Sequence, residues 1–246
     1  MIIITLYLNI GLLLIMKSVV IIPAYNEEKS IAKVIGDVPT DVISEVIVVN
    51  NNSNDNTETA AFNAGAKVLF EKQKGYGAAC LKGIDFLKEN IPDIVVFLDG
   101  DYSDYPEEII DLIKPIEYDD YDFVLGSRVM GEREKGALPL QSRIGSVIAG
   151  KLISLFWKVK YTDLGPFRAI KYNKLLELKM QDTWFGWTVE MQIRAAKKNY
   201  KILEIPVRYR KRIGKSKVTG TLKGTVMASL IIIKTIFSEL LKKNAT

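Results

Sequence analysis

The sequence predicts an α/β protein with a doubly wound, mostly parallel sheet and helices on both faces. From residue 17 onward, short β-branched and apolar runs alternate with longer stretches of helical periodicity. This alternation favours parallel strands joined by helical crossovers. The chain has 246 residues, 48% hydrophobic and 26% charged, which is enough to bury the core of one sizeable domain.

Four short runs in the N-terminal half predict buried strands because each is continuously apolar or nearly so. They cover Val19–Ile22, Glu45–Val49, Lys67–Phe70 and Ile94–Leu98. The intervening stretches predict helices near Glu28–Asp37, Asn56–Ala64 and Gly77–Lys88. Asp55 and Thr57 are of the type that caps helix starts, which supports the second of these helices.

The second half of the chain has a more mixed pattern. Further helices are predicted over Pro106–Ile116, Leu140–Trp157 and Thr188–Lys198. Strands are predicted at Tyr121–Leu125 and Ile202–Val207. Together these elements extend the domain to residues 17–217.

Residues 1–16 form an apolar N-terminal extension. It is shorter than the roughly 20 residues that a membrane-spanning helix needs. It also lacks the basic start and small-residue cleavage site of a signal peptide. We expect Met16 to be the true initiator, with a short membrane anchor as the alternative.

Residues 218–246 predict a C-terminal amphipathic helix. Its apolar core, Val226–Ile233, is too short to span a bilayer and ends at Lys234. The basic stretch Arg208–Lys217 lies just before it, which favours a helix in the membrane interface with lysines near lipid phosphates. The alternative is a terminal helix packed on the domain or on a second subunit.

Composition narrows the possible chemistry. There is no histidine, so a metal site must use oxygen ligands, which favours Mg or Mn over Zn. Ser-His and Cys-His nucleophiles are excluded for the same reason. The single cysteine, Cys80, excludes an internal disulfide and fits a reducing compartment.

The net charge of +5 is concentrated in the C-terminal third, which indicates an anionic partner. That partner is a nucleic acid, a phospholipid surface or a phosphate-bearing substrate. A nucleic acid is disfavoured because the basic stretch contains only Tyr209 as a stacking aromatic.

The strongest chemical signal is the carboxylate pair Asp99 and Asp101, which directly follows the apolar run that ends at Leu98. Both side chains are expected at the carboxyl end of a buried strand, where parallel sheets bind ligands. Two adjacent carboxylates repel each other unless a cation lies between them. The pair therefore predicts a Mg or Mn site that holds a diphosphate.

Polar loops follow the other predicted strands at the same edge of the sheet. Tyr25 and Glu27 follow the first strand, and the alternative for Glu27 is a simple contact with the next helix dipole. Asn51 follows the second strand and either hydrogen-bonds a base edge or makes an Asx turn. Lys74 and the glycines after it, which precede a helix, are candidates for a phosphate cradle.

In this order the motifs resemble family-2 glycosyltransferases of the GT-A (Rossmann-like) fold, and most closely the dolichyl- or polyprenyl-phosphate mannose and glucose synthases. The resemblance extends over residues 18–217. It is carried by IIPAYNEE, VVNNNSNDNT, KGYGAACLKG, LDGDYSDYPEE, LGSR, QSRIGS, DLGPFRAI, WTVEM and EIPVRYRKRIGKSK.

The resemblance implies roles for individual residues. The opening loop would contact the nucleotide through Pro23, Tyr25 and Glu27. The metal and diphosphate would be held by Asp99, Asp101 and Ser103. Phosphate binding is implied for Arg128 and Arg143, and a position near the sugar for Glu190. A basic loop would close over the phosphates with Lys211, Arg212, Ser216 and Lys217, and its key cation remains open among Arg210, Lys211 and Arg212.

One departure from the family pattern bears on the donor. Family members often have Asp-Asp where this chain has Asn50 and Asn51. An asparagine cannot hold a guanine edge as a carboxylate does, so the resemblance favours a UDP-sugar over GDP-mannose.

The function implied is inverting transfer of a hexose, of glucose, mannose or N-acetylglucosamine type, to dolichyl or polyprenyl phosphate. Such an acceptor is already an anion, so it needs no general base. The first alternative is transfer to a hydroxyl acceptor with Glu190 as the base. The second is a non-catalytic nucleotide- or lipid-binding module. We expect the protein at the cytoplasmic face of the membrane, as a peripheral protein, or in the cytoplasm, and an oligomer remains possible.

Overall fold

The computed structural model describes residues 16–214, 216 and 222–242. Seven strands form one sheet, in the spatial order β3-β2-β1-β4-β6-β5-β7. The strands are β1 (Ser18–Ala24), β2 (Ile43–Asn50), β3 (Lys67–Phe70), β4 (Ile94–Phe97), β5 (Phe123–Ser127), β6 (Arg168–Lys171) and β7 (Ile202–Pro206).

Helices connect the strands and cover the sheet. They are α1 (Ile31–Gly36), α2 (Thr57–Asn63), α3 (Tyr76–Phe86), α4 (Ile109–Tyr118), α5 (Leu140–Trp157), α6 (Tyr172–Glu177), α7 (Trp187–Lys197) and α8 (Leu222–Leu241). Short 3-10 helices at Leu87–Glu89 and Pro106–Glu108 precede β4 and α4. The predicted helix over Pro106–Ile116 is therefore a 3-10 turn followed by a regular helix.

The sheet is mostly parallel, as the alternation of strands and helices predicted. Strands β1, β2, β3 and β4 run parallel to one another, and β5 is parallel to β7. Only β6 is antiparallel, and it lies between β4 and β5. Consequently β1, β2 and β4 end at the same edge of the sheet, and so do the loops that follow them.

Alternate residues of the central strands enter two separate cores, one on each face of the sheet. In β1, Val19 and Ile21 pack with the core that includes Trp187. Val20 and Ile22 pack with the opposite core, which includes residues of α1 and α4. A strand buried on both faces must be apolar at every position, which is why β1 gave so clear a signal in the sequence.

Strand β6 was not predicted, because its sequence contains two basic residues within a very short run. Arg168 is nonetheless fully buried. Its guanidinium donates to the backbone carbonyls of Thr188 (3.0 Å), Pro166 (3.3 Å) and Gly165. Burial lowers the pKa of Arg168 to about 10. Tertiary hydrogen bonds thus replace water around a cation that the local pattern places on the surface.

Two details of the predicted elements are wrong. Strand β3 was expected to be buried, but it forms the edge of the sheet and exposes Lys67 and Phe70. The first helix was expected from Glu28 but begins at Ile31, because residues 27–30 form a turn in which the Ser30 amide donates to the Glu27 carbonyl at 3.0 Å.

The predicted C-terminal helix is present as α8, which packs against α5 and α7. Phe237 of α8 makes an edge contact with Phe156 of α5, at 6.2 Å between ring centroids, and Ile236 is fully buried. In the described part of the chain, no helix combines the length and the apolar character needed to cross a membrane. Our expectations for residues 1–15 and for Lys217 lie outside the described residues.

Candidate active site

A cavity of about 280 Å³ opens at the carboxyl edge of the sheet, between the loops that follow β1, β2 and β4. Much of its wall consists of residues that the sequence singled out. These are Pro23, Tyr25, Glu27, Asn51, Lys74, Asp99, Asp101 and Arg212. The sequence analysis did not assign Tyr76 or Phe185 to a site, although both line this cavity.

The loops after β1 and β2 are joined by hydrogen bonds. The Asn26 amide donates to Ser53 Oγ at 3.0 Å, and the Glu27 amide donates to Thr57 Oγ1 at 2.8 Å. The Asn54 amide donates to Asn26 Oδ1 at 2.8 Å. Two hydroxyl side chains that follow β2 therefore hold the backbone of the first loop, and the Asn26 side chain of the first loop binds the backbone of the second, which positions Tyr25 and Glu27 on the cavity wall.

Asp99 and Asp101 lie at the base of the cavity. Burial, together with the negative charge of Asp101, raises the pKa of Asp99 to about 7. Asp101 is paired with Arg212, whose Nη1 lies 2.6 Å from Asp101 Oδ2. Within the described residues, no cluster of three or more acidic or cysteine side chains is placed to hold a metal. The protein thus offers two carboxylates, and a cation bound there would take its other ligands from substrate or water.

Ser103 does not line this cavity, although the resemblance placed it in the metal shell. Its amide donates to Asp101 Oδ1 at 3.0 Å, and its hydroxyl donates to the same oxygen. Because Ser103 is fully buried behind Asp101, it orients this carboxylate instead of facing a ligand.

Asp104 is a buried carboxyl that the sequence analysis did not weigh. Neither of its oxygens has a hydrogen-bond partner among the described residues. Burial raises the pKa of Asp104 well above its usual range, and nearby Asp99 raises it further. The only sequence signal was its place as the third acid of the DGDYSD run.

Residues 210–213 of the basic stretch pair through their backbone with the loop that follows Asp101. The amides of Arg210 and Ile213 donate to the carbonyls of Ser103 and Asp101, each at 2.9 Å. The Arg210 guanidinium stacks on Tyr102, 3.3 Å from the ring centroid. It also donates to the Tyr102 carbonyl at 2.7 Å.

These contacts distinguish the three candidate cations of the basic loop. Arg210 is held by Tyr102, and Lys211 is exposed and outside the cavity wall. Arg212 alone of the three lines the cavity. Of the three cations left open by the resemblance, the backbone pairing of residues 210–213 therefore turns Arg212 to the cavity and leaves Lys211 outside its wall.

Asn51 lines the cavity, but its side chain is already engaged. Its amide nitrogen donates to the carbonyls of Gln73 (2.7 Å) and Glu71 (3.3 Å), and its oxygen accepts from the Gly75 amide at 2.8 Å. In this arrangement Asn51 fastens the loop after β3 and does not present free groups to a base. Our inference of the donor from Asn51 therefore loses its geometric basis.

The glycines at the start of α3, Gly75 and Gly77, do not form a phosphate cradle. The Gly77 and Ala78 amides donate to the carbonyls of Trp184 (3.2 Å) and Thr183 (2.9 Å), so the start of α3 is occupied by protein. A Cβ on Gly77 would lie 2.1 Å from the Asp182 carbonyl oxygen. These glycines are needed so that the segment before α7 can approach at backbone distance.

A second cavity of about 230 Å³ adjoins the first and extends between α5 and α8. The two share four wall residues, which are Tyr76, Asp99, Phe185 and Arg212. The second cavity is rich in hydroxyl groups, contributed by Ser142, Ser146, Thr188, Tyr209, Ser216 and Ser229. Towards α8 its wall becomes apolar.

Arg128 lines the second cavity, held by a partner that the sequence analysis did not identify. Its Nε and Nη2 donate to the two oxygens of Asp163 at 2.7 and 2.9 Å. Its guanidinium lies over the Tyr209 ring, 5.1 Å from the centroid. Arg128 is therefore rigidly oriented at the wall of this cavity.

Arg143 and Glu190 are not brought to either cavity. Arg143 is exposed on the outer side of α5, whereas its neighbours Ser142 and Ser146 face inward. Glu190 is buried, and its carboxylate accepts from the amides of Gln181 and Asp182 and pairs with Arg194 at 2.7 Å. A general base must reach the proton that it removes, so this placement contradicts the expectation that Glu190 lies beside the sugar.

Comparison with known proteins assigns the chain to a class. The family model described as Glycosyl transferase family 2 matches residues 19–179. The chain belongs to this family of glycosyltransferases, which confirms the resemblance of its motifs.

Two relatives cover nearly the whole chain. One is an uncharacterized glycosyltransferase of Mycobacterium tuberculosis, 34% identical over 88% of this chain and 96% of its own length. The other is a dolichyl-phosphate hexose transferase of Haloferax volcanii, 30% identical over 87% of this chain and 91% of its own length.

The fold matches that of glucosyl-3-phosphoglycerate synthase from Mycobacterium tuberculosis, crystallised with Mn²⁺, UDP-glucose and phosphoglyceric acid. The TM-score is 0.73 at 20% sequence identity, covering 92% of this chain and 80% of that one. At this identity the likeness shows a shared fold, and it confirms the GT-A architecture.

The packing of the glycines at the start of α3 can be tested by stability. We expect Gly77→Ala to lower the free energy of unfolding by about 1–3 kcal/mol, because the added methyl group collides with backbone. Gly36→Ala is the matched control, since Gly36 is also helical and a Cβ there has no neighbour within 4 Å. Urea unfolding of both variants measures the difference. Equal free energies of unfolding for the two variants would show that the backbone at Asp182 moves to accommodate the methyl group without loss of stability.

Proposed function

We propose that this protein is an inverting hexosyltransferase that moves a hexose from a nucleotide-diphosphate sugar to dolichyl or polyprenyl phosphate. One observation carries the proposal: two cavities of different character meet at Asp99 and Arg212. A donor diphosphate in the first cavity and an acceptor phosphate in the second would both contact this junction.

The first cavity suits the nucleotide diphosphate. Its wall combines the Tyr25 ring, the Lys74 ammonium group and the two carboxylates, and Lys74 Nζ lies 5.3 Å from the Tyr25 ring centroid. The structural relative crystallised with UDP-glucose supports a UDP-sugar as the donor, favoured over GDP-mannose.

Asp99 and Asp101 would hold Mg²⁺ or Mn²⁺ together with the diphosphate. Two carboxylates that leave further positions to phosphate oxygens form a donor set typical of magnesium sites in nucleotide enzymes. The cation would neutralise charge on the departing nucleoside diphosphate. The structural relative crystallised with Mn²⁺ supports this assignment.

The second cavity suits an acceptor that combines a phosphate with an apolar chain. Arg128 and Arg212 supply positive charge at its inner end, and its hydroxyl groups supply hydrogen-bond donors. Its outer end lies between α5 and α8, where Ala228 and Ile232 of α8 contribute apolar surface. The relative named a dolichyl-phosphate hexose transferase supports a lipid phosphate in this position.

Such an acceptor requires little acid–base chemistry from the protein. A phosphate oxygen is already a nucleophilic anion, so it can attack the anomeric carbon from the side opposite the leaving diphosphate and invert its configuration. Arg128 and Arg212 would align this oxygen and reduce repulsion between the two phosphates. This scheme agrees with a chain that has no histidine and whose Glu190 faces away from both cavities.

A membrane surface would deliver the lipid. Both helices beside the second cavity expose apolar side chains, which we call the α5–α8 apolar face. Its members are Leu140, Ile144, Val147, Ile148 and Leu155 of α5 and Met227, Leu230, Ile233, Phe237 and Leu241 of α8. The exposed Arg143, Lys151 and Lys234 lie on the same helices, Lys242 directly follows α8, and these cations suit lipid phosphates. We place the protein at the cytoplasmic face of the membrane.

The reaction can be tested with labelled donors. Purified protein is incubated with Mn²⁺, polyprenyl phosphate and one donor that is labelled in the sugar. The donors are UDP-glucose, UDP-N-acetylglucosamine and GDP-mannose. The lipid is then extracted into an organic phase. We expect label in the lipid with a UDP-sugar. Arg212→Gln should reduce kcat/KM by about 100-fold, as for loss of one transition-state contact. Lys211→Gln, the exposed neighbour, should change it less than about twofold.

Parallel reactions distinguish the acceptors. Phosphoglyceric acid replaces the lipid in one, because the structural relative was crystallised with that acid, and a glycan hydroxyl replaces it in another. Label in either of these products and none in lipid would overturn the lipid acceptor. Near-total loss of turnover in Glu190→Gln, with donor binding intact, would instead favour a hydroxyl acceptor. Failure of every donor to release its nucleotide would leave a binding module without catalysis.

The role of Asp99 predicts a pH dependence. Its pKa of about 7 means that Asp99 is protonated below neutrality and charged above it. Because a metal ligand must be deprotonated, we expect Mn²⁺ affinity to rise from pH 6 to pH 8, by up to about tenfold per unit below the pKa. Titration calorimetry measures this change. In Asp99→Asn the affinity for Mn²⁺ should be weak and independent of pH. If the variant instead keeps the pH profile of the wild-type protein, Asp99 is not a ligand of the cation.

The α5–α8 apolar face predicts vesicle binding. We expect cosedimentation with vesicles of phosphatidylcholine and phosphatidylglycerol. Ile148→Asn and Leu230→Asn should each weaken it on the order of tenfold, as burial of one such side chain contributes about 1.5 kcal/mol or more. Phe62→Asn is the control, because Phe62 is even more exposed than Ile148 and Leu230 but lies on α2. Equal losses for all three variants would contradict a specific membrane face.

A further inference from the structure

A series of buried charges connects α8 to α7 without touching either cavity described above. Glu239 of α8 accepts hydrogen bonds from Arg194 Nη2 at 3.0 Å and from Lys197 Nζ at 2.9 Å, and both of these cations belong to α7. Only 4% of the Glu239 side chain is exposed. Lys242 Nζ, one turn further along the chain, also lies 3.1 Å from Glu239 Oε1. A carboxylate so removed from water depends on these three partners.

Arg194 also binds Glu190, which lies closer to the first cavity along the chain of contacts. Arg194 Nη2 lies 2.7 Å from Glu190 Oε1, so one guanidinium bridges two buried carboxylates. The other side of Glu190 faces the segment before α7, where the amides of Gln181 and Asp182 donate to its oxygens at 3.1 and 2.8 Å. Arg194 also reaches the segment itself, because its Nη2 donates to Gln181 Oε1 at 3.4 Å.

That segment, residues 181–185, forms one wall of the first cavity. Asp182 Oδ1 accepts from the Trp184 amide at 2.7 Å, which shapes the turn, and Trp184 and Phe185 line the cavity. On its other side, its carbonyls accept from the amides at the start of α3, beside Lys74 and Gly75 of the same cavity.

The segment before α7 meets α8 closely at Gly186. A Cβ on Gly186 would lie 2.4 Å from Thr235 Oγ1 of α8 and 2.3 Å from Asp182 Oδ2. Elsewhere the segment and α8 line a cavity of about 310 Å³ between them. A displacement of α8 relative to α7 therefore acts on this segment at Gly186 and through the series of ion pairs, while the cavity leaves the rest of the contact free to adjust.

We propose that Glu239 is a positioning residue for the donor, acting through Arg194 and Glu190 on the 181–185 wall. The docking of α8 on α7 then sets the affinity of the first cavity for a nucleoside diphosphate. This inference rests on the proposed function, since it takes the first cavity to be the donor site.

The test uses Glu239→Gln and measures UDP binding in the presence of Mn²⁺ by calorimetry, together with KM and kcat for the donor. We expect the Kd for UDP and the donor KM to rise about 3- to 20-fold, in the range seen for residues that couple distant sites. The value of kcat should remain within about twofold, because no group at the junction of the cavities changes. Glu177→Gln is the control, since Glu177 pairs with Lys174 on α6, away from the series.

A spectroscopic measurement separates positioning from general stability. Trp184 is about half exposed on the cavity wall, so its emission, obtained by difference from Trp184→Phe, reports on the 181–185 segment. We expect Glu239→Gln to shift this emission to longer wavelength before UDP is added. Gly186→Ala provides a second variant that removes no charge, and it should raise the Kd for UDP in the same direction.

The outcomes are distinct. If the wild-type protein binds no nucleotide, the proposed function fails. A second outcome is that the wild-type protein binds UDP, and that Glu239→Gln and Gly186→Ala both bind UDP with the same Kd and show the same Trp184 emission. That outcome overturns only the positioning role. If Glu239→Gln lowers the melting temperature but leaves the Kd for UDP and the Trp184 emission unchanged, the ion pairs of Glu239 stabilise the fold without positioning the donor, and the proposal is likewise overturned. Should Glu239→Gln fail to fold, the Kd and emission of Gly186→Ala decide the result in the same way.

Discussion

Two like charges buried at the end of β4 impose the constraint on which the site depends. Asp99 and Asp101 cannot both stay ionised beneath the sheet edge without positive charge nearby. Arg212 provides it, with its guanidinium 2.6 Å from Asp101. To place that side chain, residues 210–213 pair through their backbone with the loop after Asp101, and Arg210 stacks on Tyr102. The basic stretch is thus held by the backbone and the tyrosine of the loop that carries Asp101, and this contact brings Arg212 to the carboxylate.

This electrostatic centre also explains why two cavities meet where they do. Asp99 and Arg212 form part of both walls, so a carboxylate and a guanidinium lie between the first cavity and the one that leads between α5 and α8. Transfer between two phosphates requires such a junction, because repulsion between them must be offset as they approach. Family membership shows that the chain is a glycosyltransferase, and the junction is the observation from which we propose a phosphate acceptor.

Most of the sheet could be predicted from the sequence, and so could the loops at its edge. Strands buried on both faces, such as β1, are uniformly apolar, and that local property survives in any context. Strand β6 could not be predicted, because Arg168 is tolerated only through carbonyls contributed by distant residues. The roles of Asn51 and Gly77 were misjudged for a related reason: each was assigned to a ligand but is bound to another part of the chain.

The sequence by itself determined the fold class, the family and the carboxylate pair, because these depend on residue types that repeat or follow one another along the chain. Only the tertiary structure decided which of the neighbouring cations faces that pair, and that Glu190 and Arg143 do not. The direction of a side chain in a loop or on a helix is set by contacts with residues far away in sequence. Arg212 is oriented by its neighbours, because Arg210 and Ile213 hydrogen-bond to the loop that follows β4, more than a hundred positions earlier in the chain.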